Sequence, residues 1–324
     1  MKLPFTLAIK FVFRMLLPGF LLALGLLPVL RTIIELADGL VPLEYAFTVE
    51  VFFWGWLIVI LDMPIYMIFE GRRYWLKSVK KFFISQEKNR LSKLERIIDD
   101  YPQRVERQKY IEASVEIRRF PLDENGKYEV RFPTRLGNLL TAYEEYSKRI
   151  YGMWQGFYWP RIWLKIDKDI REEIDGQQAF ADSTIYTVTV LYINTILFSI
   201  YAILYLYDMS HIKYLPRAPF YWILPIVSLT TGYAIYRLSL HIHAQFGETF
   251  KSVFDKFGHE TMFPKIIEAL ASFPCTRELK TASYEDQNLA VWFYLHNYRI
   301  KCLQCGDILL PAEAREHRCK SVKK

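Results

Sequence analysis

Charge is missing from three long stretches of this chain. Met15 to Leu30, Ile185 to Tyr207 and Ala218 to Tyr236 contain no Asp, Glu, Lys or Arg, although these residues make up 24% of the whole. That absence argues against surface helices of a water-soluble domain, which carry a polar face. Cysteine is scarce as well, with four in 324 residues, so a disulfide-knit fold is excluded. Catalytic signatures are also missing: there is no P-loop, dinucleotide fingerprint, paired-carboxylate motif or Ser/His/Asp constellation. These absences favour a non-enzyme.

What is present fits a membrane. Each charge-free stretch can supply about the 20 residues a helix needs to cross roughly 30 Å of hydrocarbon. A fourth apolar run, Phe47 to Phe69, is interrupted by Glu50 and Asp62. The first run holds Pro18, Gly19, Gly25 and Pro28, which a membrane helix tolerates because neighbours satisfy freed carbonyls. No small-residue cleavage pattern closes it, and Arg31-Thr32-Ile33-Ile34 continues an apolar face, so it reads as an uncleaved helix. The expectation is an all-α integral membrane protein with four transmembrane helices in two hairpins, 1–69 and 185–236. Between them lies a mainly helical insert, 70–184. A helical segment, 237–295, and a small zinc-binding tail, 296–324, follow.

Orientation follows from lysine and arginine. Between Arg72 and Arg96 nine basic residues face only Glu87 and Glu95, whereas the link between the first two runs is acidic, with Glu35, Asp38, Glu44 and Glu50 against Arg31. Positive charge marks the cytoplasmic side. The insert and both termini are therefore expected in the cytoplasm, with the Asp208 to Arg217 loop outside a cell membrane crossed four times. The net charge of +7 suits anionic headgroups, each basic residue near the surface contributing about 1 kcal/mol. The lipid bilayer, rather than nucleic acid, is the expected partner.

Within the insert, Trp75, Val79, Phe82, Leu91, Leu94 and Ile98 recur near helical spacing. They read as a continuation of the second membrane helix that ends near Asp99, before Pro102. Val105 to Arg119 is ambiguous between helix and strand. Asp123-Glu124-Asn125-Gly126 is a turn, and its β-prone flanks Val115-Glu116-Ile117 and Tyr128 to Phe132 predict a small hairpin or a structured loop. Next come Phe132-Pro133-Thr134-Arg135-Leu136-Gly137-Asn138, a helical run from Leu139 to Ile150, Tyr151-Gly152, and Trp159-Pro160-Arg161-Ile162-Trp163. The stretch from Phe132 to about Glu173 resembles a group of prokaryotic multi-pass membrane proteins without an assigned activity. The resemblance implies a membrane setting and carries over no catalytic residue.

Three sets of residues stand out. Arg135 and Arg161 lie among aromatics, where a guanidinium can hold phosphate in bidentate fashion; they are the candidate lipid or anion contacts. Pairing with Glu144, Glu145, Asp167 or Asp169 is the plainer alternative. Asp62 and Asn194 are the candidate intramembrane polar site; the plainer readings for Asp62 are a helix that leaves the membrane sooner or an ion pair with Arg14. His241 and His243, two apart on a helix, point to different faces and make no joint metal site.

The third set closes the chain. Cys302-Leu303-Gln304-Cys305-Gly306 and His317-Arg318-Cys319 offer thiolate and imidazole in a pattern that suits tetrahedral zinc. Leu309-Leu310-Pro311 is expected to open a short helix, Ala312 to Glu316, that delivers His317 and Cys319. A Cys302–Cys305 redox pair lacks the βαβ context it would need, and Cys275 reads as a spare thiol. With all four positions filled by protein, the zinc is structural. Two function classes remain: a membrane-anchored scaffold or sensor that contacts a protein partner or another copy of itself, and an oligomeric channel or transporter.

Overall fold

A computed structural model describes residues 11–36, 41–206, 220–261, 263–297 and 299–317. The Asp208 to Arg217 loop and Cys319 lie outside them. The described residues are mostly helical, and four helices are long and apolar enough to cross a membrane: Val12–Leu36, Leu43–Ile60, Lys168–Tyr205 and Trp222–Phe257. In each, at most 33% of the most apolar window is buried inside the protein. Large apolar side chains such as Trp56, Ile196 and Ile226 face outward, as they do when the surrounding solvent is itself apolar.

A π-helical turn, Val12–Leu16, leads into α1, Leu17–Leu36, which packs on α2, Leu43–Ile60. Small residues set this crossing. A Cβ on Gly19 would collide with Val51 O and Gly55, and one on Gly55 would collide with Met15, so the two backbones approach as only glycine allows. Phe20 meets Phe47 edge-on, with centroids 5.9 Å apart.

The second apolar run is shorter than expected. Helix α2 stops at Ile60, Leu61 takes φ −83° and ψ 13°, and α3, Asp62–Phe69, starts anew. Pro64 supplies the reason: it has no N–H for Ile60 O, and its ring crowds that carbonyl. Nor does the insert continue this helix. Residues 70–76 intervene, with Gly71 at φ 74° and Tyr74 at φ 66°, before α4, Lys77–Asp99. Helix α5, Arg107–Ile117, settles the ambiguous piece and corrects the hairpin, because Val115-Glu116-Ile117 is helical. Ile117 is claimed by a cluster with Leu91 and Phe120, which outweighs its β propensity. The expected turn survives as one bridge, Leu122 to Tyr128, with Gly126 at φ 77°. The Asp123 carboxylate accepts from Asn125 N at 2.9 Å and Lys127 N at 2.8 Å.

The later helices are α6, Arg135–Tyr151, α7, Gln155–Lys165, α8, Lys168–Leu206, and α9, Phe220–Thr261. Helix α8 begins well before its charge-free run, and α9 continues well past the end of its own. They are followed by α10, Pro264–Leu270, a 3-10 segment, Pro274–Lys280, and α11, Tyr284–Asn297. Strands β1, Ile300–Lys301, and β2, Ile308–Leu309, form an antiparallel hairpin before α12, Pro311–Glu316.

The chain forms two compact units, one from 1–140 and 172–246, the other from 141–171 and 247–324. The second has its own aromatic core: Trp159 lies 4.7 Å from Phe250 and 6.0 Å from Phe254, ring to ring. Tyr158 Oη donates to Asn288 O at 3.1 Å, so that buried hydroxyl is satisfied.

Candidate functional site

The tail gathers its ligands by ordinary backbone means. Pairing of Ile300 with Leu309 and Lys301 with Ile308 closes a hairpin whose turn carries both cysteines. Cys302 N donates to Asp307 O at 2.8 Å and Gly306 N to Cys302 O at 3.0 Å. Gly306 has φ 79°, which glycine adopts without steric cost. The Glu313 carboxylate accepts from Leu310 N at 2.7 Å, fixing the start of α12, and His317 follows its end.

The result is a compact group. One ligand atom from each of Cys302, Cys305 and His317 lies within 4.8 Å of the others, and Cys305 Sγ is 3.2 Å from His317 Nε2. Tetrahedral zinc, with bonds near 2.3 Å to sulfur and 2.0 Å to nitrogen, needs about 3.5–3.8 Å between such atoms. These three residues fit a metal ion, and Cys319 falls outside the described residues. The tail is not a free-standing knot. Cys302, 1% exposed, shares a buried cluster with Leu270, Leu279, Val291 and Ala314. Cys275 belongs to that cluster as a packed thiol, its carbonyl accepting from Leu303 N at 3.2 Å.

Asp62 and Arg14 do not form the expected pair. Arg14 bonds to Asp182, while Asp62 accepts from Tyr186 Oη at 2.7 Å. Asp182 Oδ1 also lies 2.7 Å from Tyr66 Oη, which lies 3.0 Å from His243 Nε2. His243 Nδ1 is 2.7 Å from Ser239 O. A carbonyl only accepts, so Nδ1 carries a proton. Tyr66 Oη donates to Asp182 Oδ1, and its approach to Nε2 links that carboxylate to His243. This network joins three of the span-length helices to α3, the short helix that follows the other one. The sequence missed it because Asp182 and His243 lie outside the charge-free runs; the signal was Asp182, Tyr186 and Ser239, His243, two pairs at helical spacing. Asn194 acts separately, donating to Leu21 O at 2.8 Å beside Gly25, a bond between helices.

The Pro133 to Asn138 stretch builds a shelf for Arg135. Thr134 Oγ1 accepts from Gly137 N at 3.0 Å, capping α6. The Asn138 side chain accepts from Arg131 N and Phe132 N, both at 3.0 Å, and donates to Phe132 O at 2.9 Å and Thr134 O at 3.0 Å. Gly137 lies against Glu70 O, where no Cβ fits. Arg135 then stands in the first turn of α6, 3.7 Å from Glu87. Replacing Asn138, 1% exposed, by Ala strands several backbone groups and should cost about 2 kcal/mol, read as a lower melting midpoint in detergent. Arg161 belongs to the second unit, where it donates to Phe157 O at 2.5 Å and lies over the Phe157 ring. No family model, curated protein or solved structure matches the chain.

Proposed function

We propose that this protein crosses the cell membrane four times as two hairpins, with both termini in the cytoplasm, and serves as a scaffold or sensor. Its cytoplasmic surface is held in shape by structural zinc on Cys302, Cys305, His317 and Cys319, for contact with a protein partner or a second copy. The observation that carries this reading is the convergence of Cys302, Cys305 and His317 on a buried apolar cluster. A metal there would tie the hairpin and α12 to the helices beneath. Four protein ligands leave no open position for water, so the metal would supply cohesion rather than catalysis.

The channel or transporter reading is the weaker one. A conduit presents polar groups to a pathway, whereas Asp62, Tyr66, Asp182, Tyr186 and His243 are engaged with one another or with Arg14 and Ser239. Purification in mild detergent followed by mass measurement of the complex separates the two. A co-purifying foreign protein or a simple dimer supports the scaffold, and a closed ring of identical copies supports the conduit.

A further inference from the structure

Two cavities in the first unit meet at Arg135 and Arg237, which line both. The smaller, about 90 Å³, is strongly basic: Arg90, Arg119, Arg135, Arg237 and His241 surround it with Glu116 as the acidic member. The larger, about 530 Å³, is mainly aromatic, with Phe69, Trp75, Phe83, Tyr192, Tyr233 and Tyr236 among its walls.

The acids do not neutralise the bases. Glu87 and Glu116 serve Arg90, at 2.9 and 2.5 Å; Glu116 also holds Arg119 at 2.5 Å and Glu87 reaches Arg135 at 3.7 Å. Arg237 has no ion pair among the described residues. Four guanidinium groups against two carboxylates leave a surplus of two positive charges around one small cavity. Burial, together with the nearby Arg90 and Arg237 cations, pushes the Arg135 guanidinium below its ordinary value. An anion in the cavity relieves that repulsion.

Position supplies the rest. Arg237 directly follows the charge-free run that ends at Tyr236, which is where a membrane-spanning helix meets headgroups. The aromatic cavity opens beside that same run, on Tyr233 and Tyr236. Its volume lies within the range of roughly 300–1,000 Å³ typical of ligand pockets. A basic recess fused to an aromatic groove at this level fits a molecule with an anionic head and an apolar tail.

We propose that this double cavity is a binding site for one anionic phospholipid, its phosphate among Arg90, Arg119, Arg135 and Arg237 and an acyl chain along the aromatic groove. Guanidinium suits the head because it meets phosphate oxygens with paired, charge-assisted hydrogen bonds. Groove residues such as Trp75 and Tyr233 remain partly or largely exposed and are free to cover a chain. The site rests on the membrane reading but not on the metal centre.

The test uses the full chain, purified, stripped of lipid and reloaded with phosphatidylglycerol or phosphatidylcholine, with retained lipid counted by native mass spectrometry. Wild type should hold one phosphatidylglycerol about tenfold more tightly than phosphatidylcholine. Arg237→Gln should abolish that preference while its melting midpoint in phosphatidylcholine stays that of wild type. Arg237→Lys should keep part of it, which covers the case in which the Gln variant fails to fold. Tyr233→Ser should weaken retention of long-chain phosphatidylglycerol while leaving a short-chain analogue unaffected. Inorganic phosphate at millimolar concentration should not reproduce the stabilisation given by phosphatidylglycerol. Equal retention of the two lipids, an unchanged preference in Arg237→Gln, or full stabilisation by phosphate alone would overturn the proposal.

Discussion

Stripping metal from the purified protein with a strong chelator should loosen the end of the second unit while leaving the four span-length helices in place. Hydrogen exchange should rise across residues 299–317 and spread to the 3-10 segment, because Cys302 and Ala314 pack with Leu279 and Cys275 in one cluster. The four span-length helices should stay protected. The expected size is large: structural zinc supplies about 10 kcal/mol or more of apparent binding free energy in small modules at neutral pH, and the two-residue strands here contribute little by themselves. Cys305→Ser should reproduce the effect of the chelator. Cys275→Ser should not, since Cys275 lies outside the ligand group; its cost should be that of a polar atom in an apolar cluster, about 1–2 kcal/mol. Exchange that stays flat over residues 299–317 after chelation would count against a metal-held tail.

Asp182→Ala should destabilise the first unit by about 3 kcal/mol, the low end for breaking a buried ion pair, because Arg14 keeps a 36% exposed side chain through which it recovers some hydration. Asp182→Asn should cost far less, about 1 kcal/mol. The asparagine amide can accept from Arg14 and donate to Tyr66, so both neighbours keep a hydrogen bond. This outcome is expected because the amide keeps a hydrogen bond to each neighbour and gives up only the charge. The double change Arg14→Leu with Asp182→Leu should recover much of the loss, since an apolar pair of similar size leaves no stranded charge. Melting midpoints in one detergent rank the four proteins. If Asp182→Asn melts as low as Asp182→Ala, the charge of Asp182 rather than its hydrogen bonds carries the stabilisation.

What the sequence revealed, and what it concealed, follows from the range of the interactions. Charge-free runs are local, so α1, α8 and α9 could be placed from composition alone, and Cys302, Cys305 and His317 stand close enough along the chain to be read as a group. The end of α2 depended on a single proline. Pro64 acts on Ile60 one turn back, and hydropathy averaged over the run conceals it. Val115 to Ile117 looked β-prone because propensity counts side-chain shape, whereas Ile117 is fixed by its contact cluster with Leu91 and Phe120. Long-range pairing was the least legible. Arg14 bonds Asp182 across 168 positions and Tyr66 faces His243 across 177, and nothing in a single chain's periodicity links such partners. The surplus of arginine beside Arg135 was hidden for the same reason, since Arg90, Arg119 and Arg237 come from α4, the turn after α5, and α9.

The proposed metal centre is most directly tested by X-ray absorption at the zinc edge on the purified full chain, combined with elemental analysis. The expected result is about one zinc per chain, with a first shell of sulfur near 2.3 Å and one or more nitrogens near 2.0 Å, and loss of more than half the zinc in Cys305→Ser. Less than half an equivalent of any metal in the wild-type protein, or a shell of oxygen without sulfur, would contradict it.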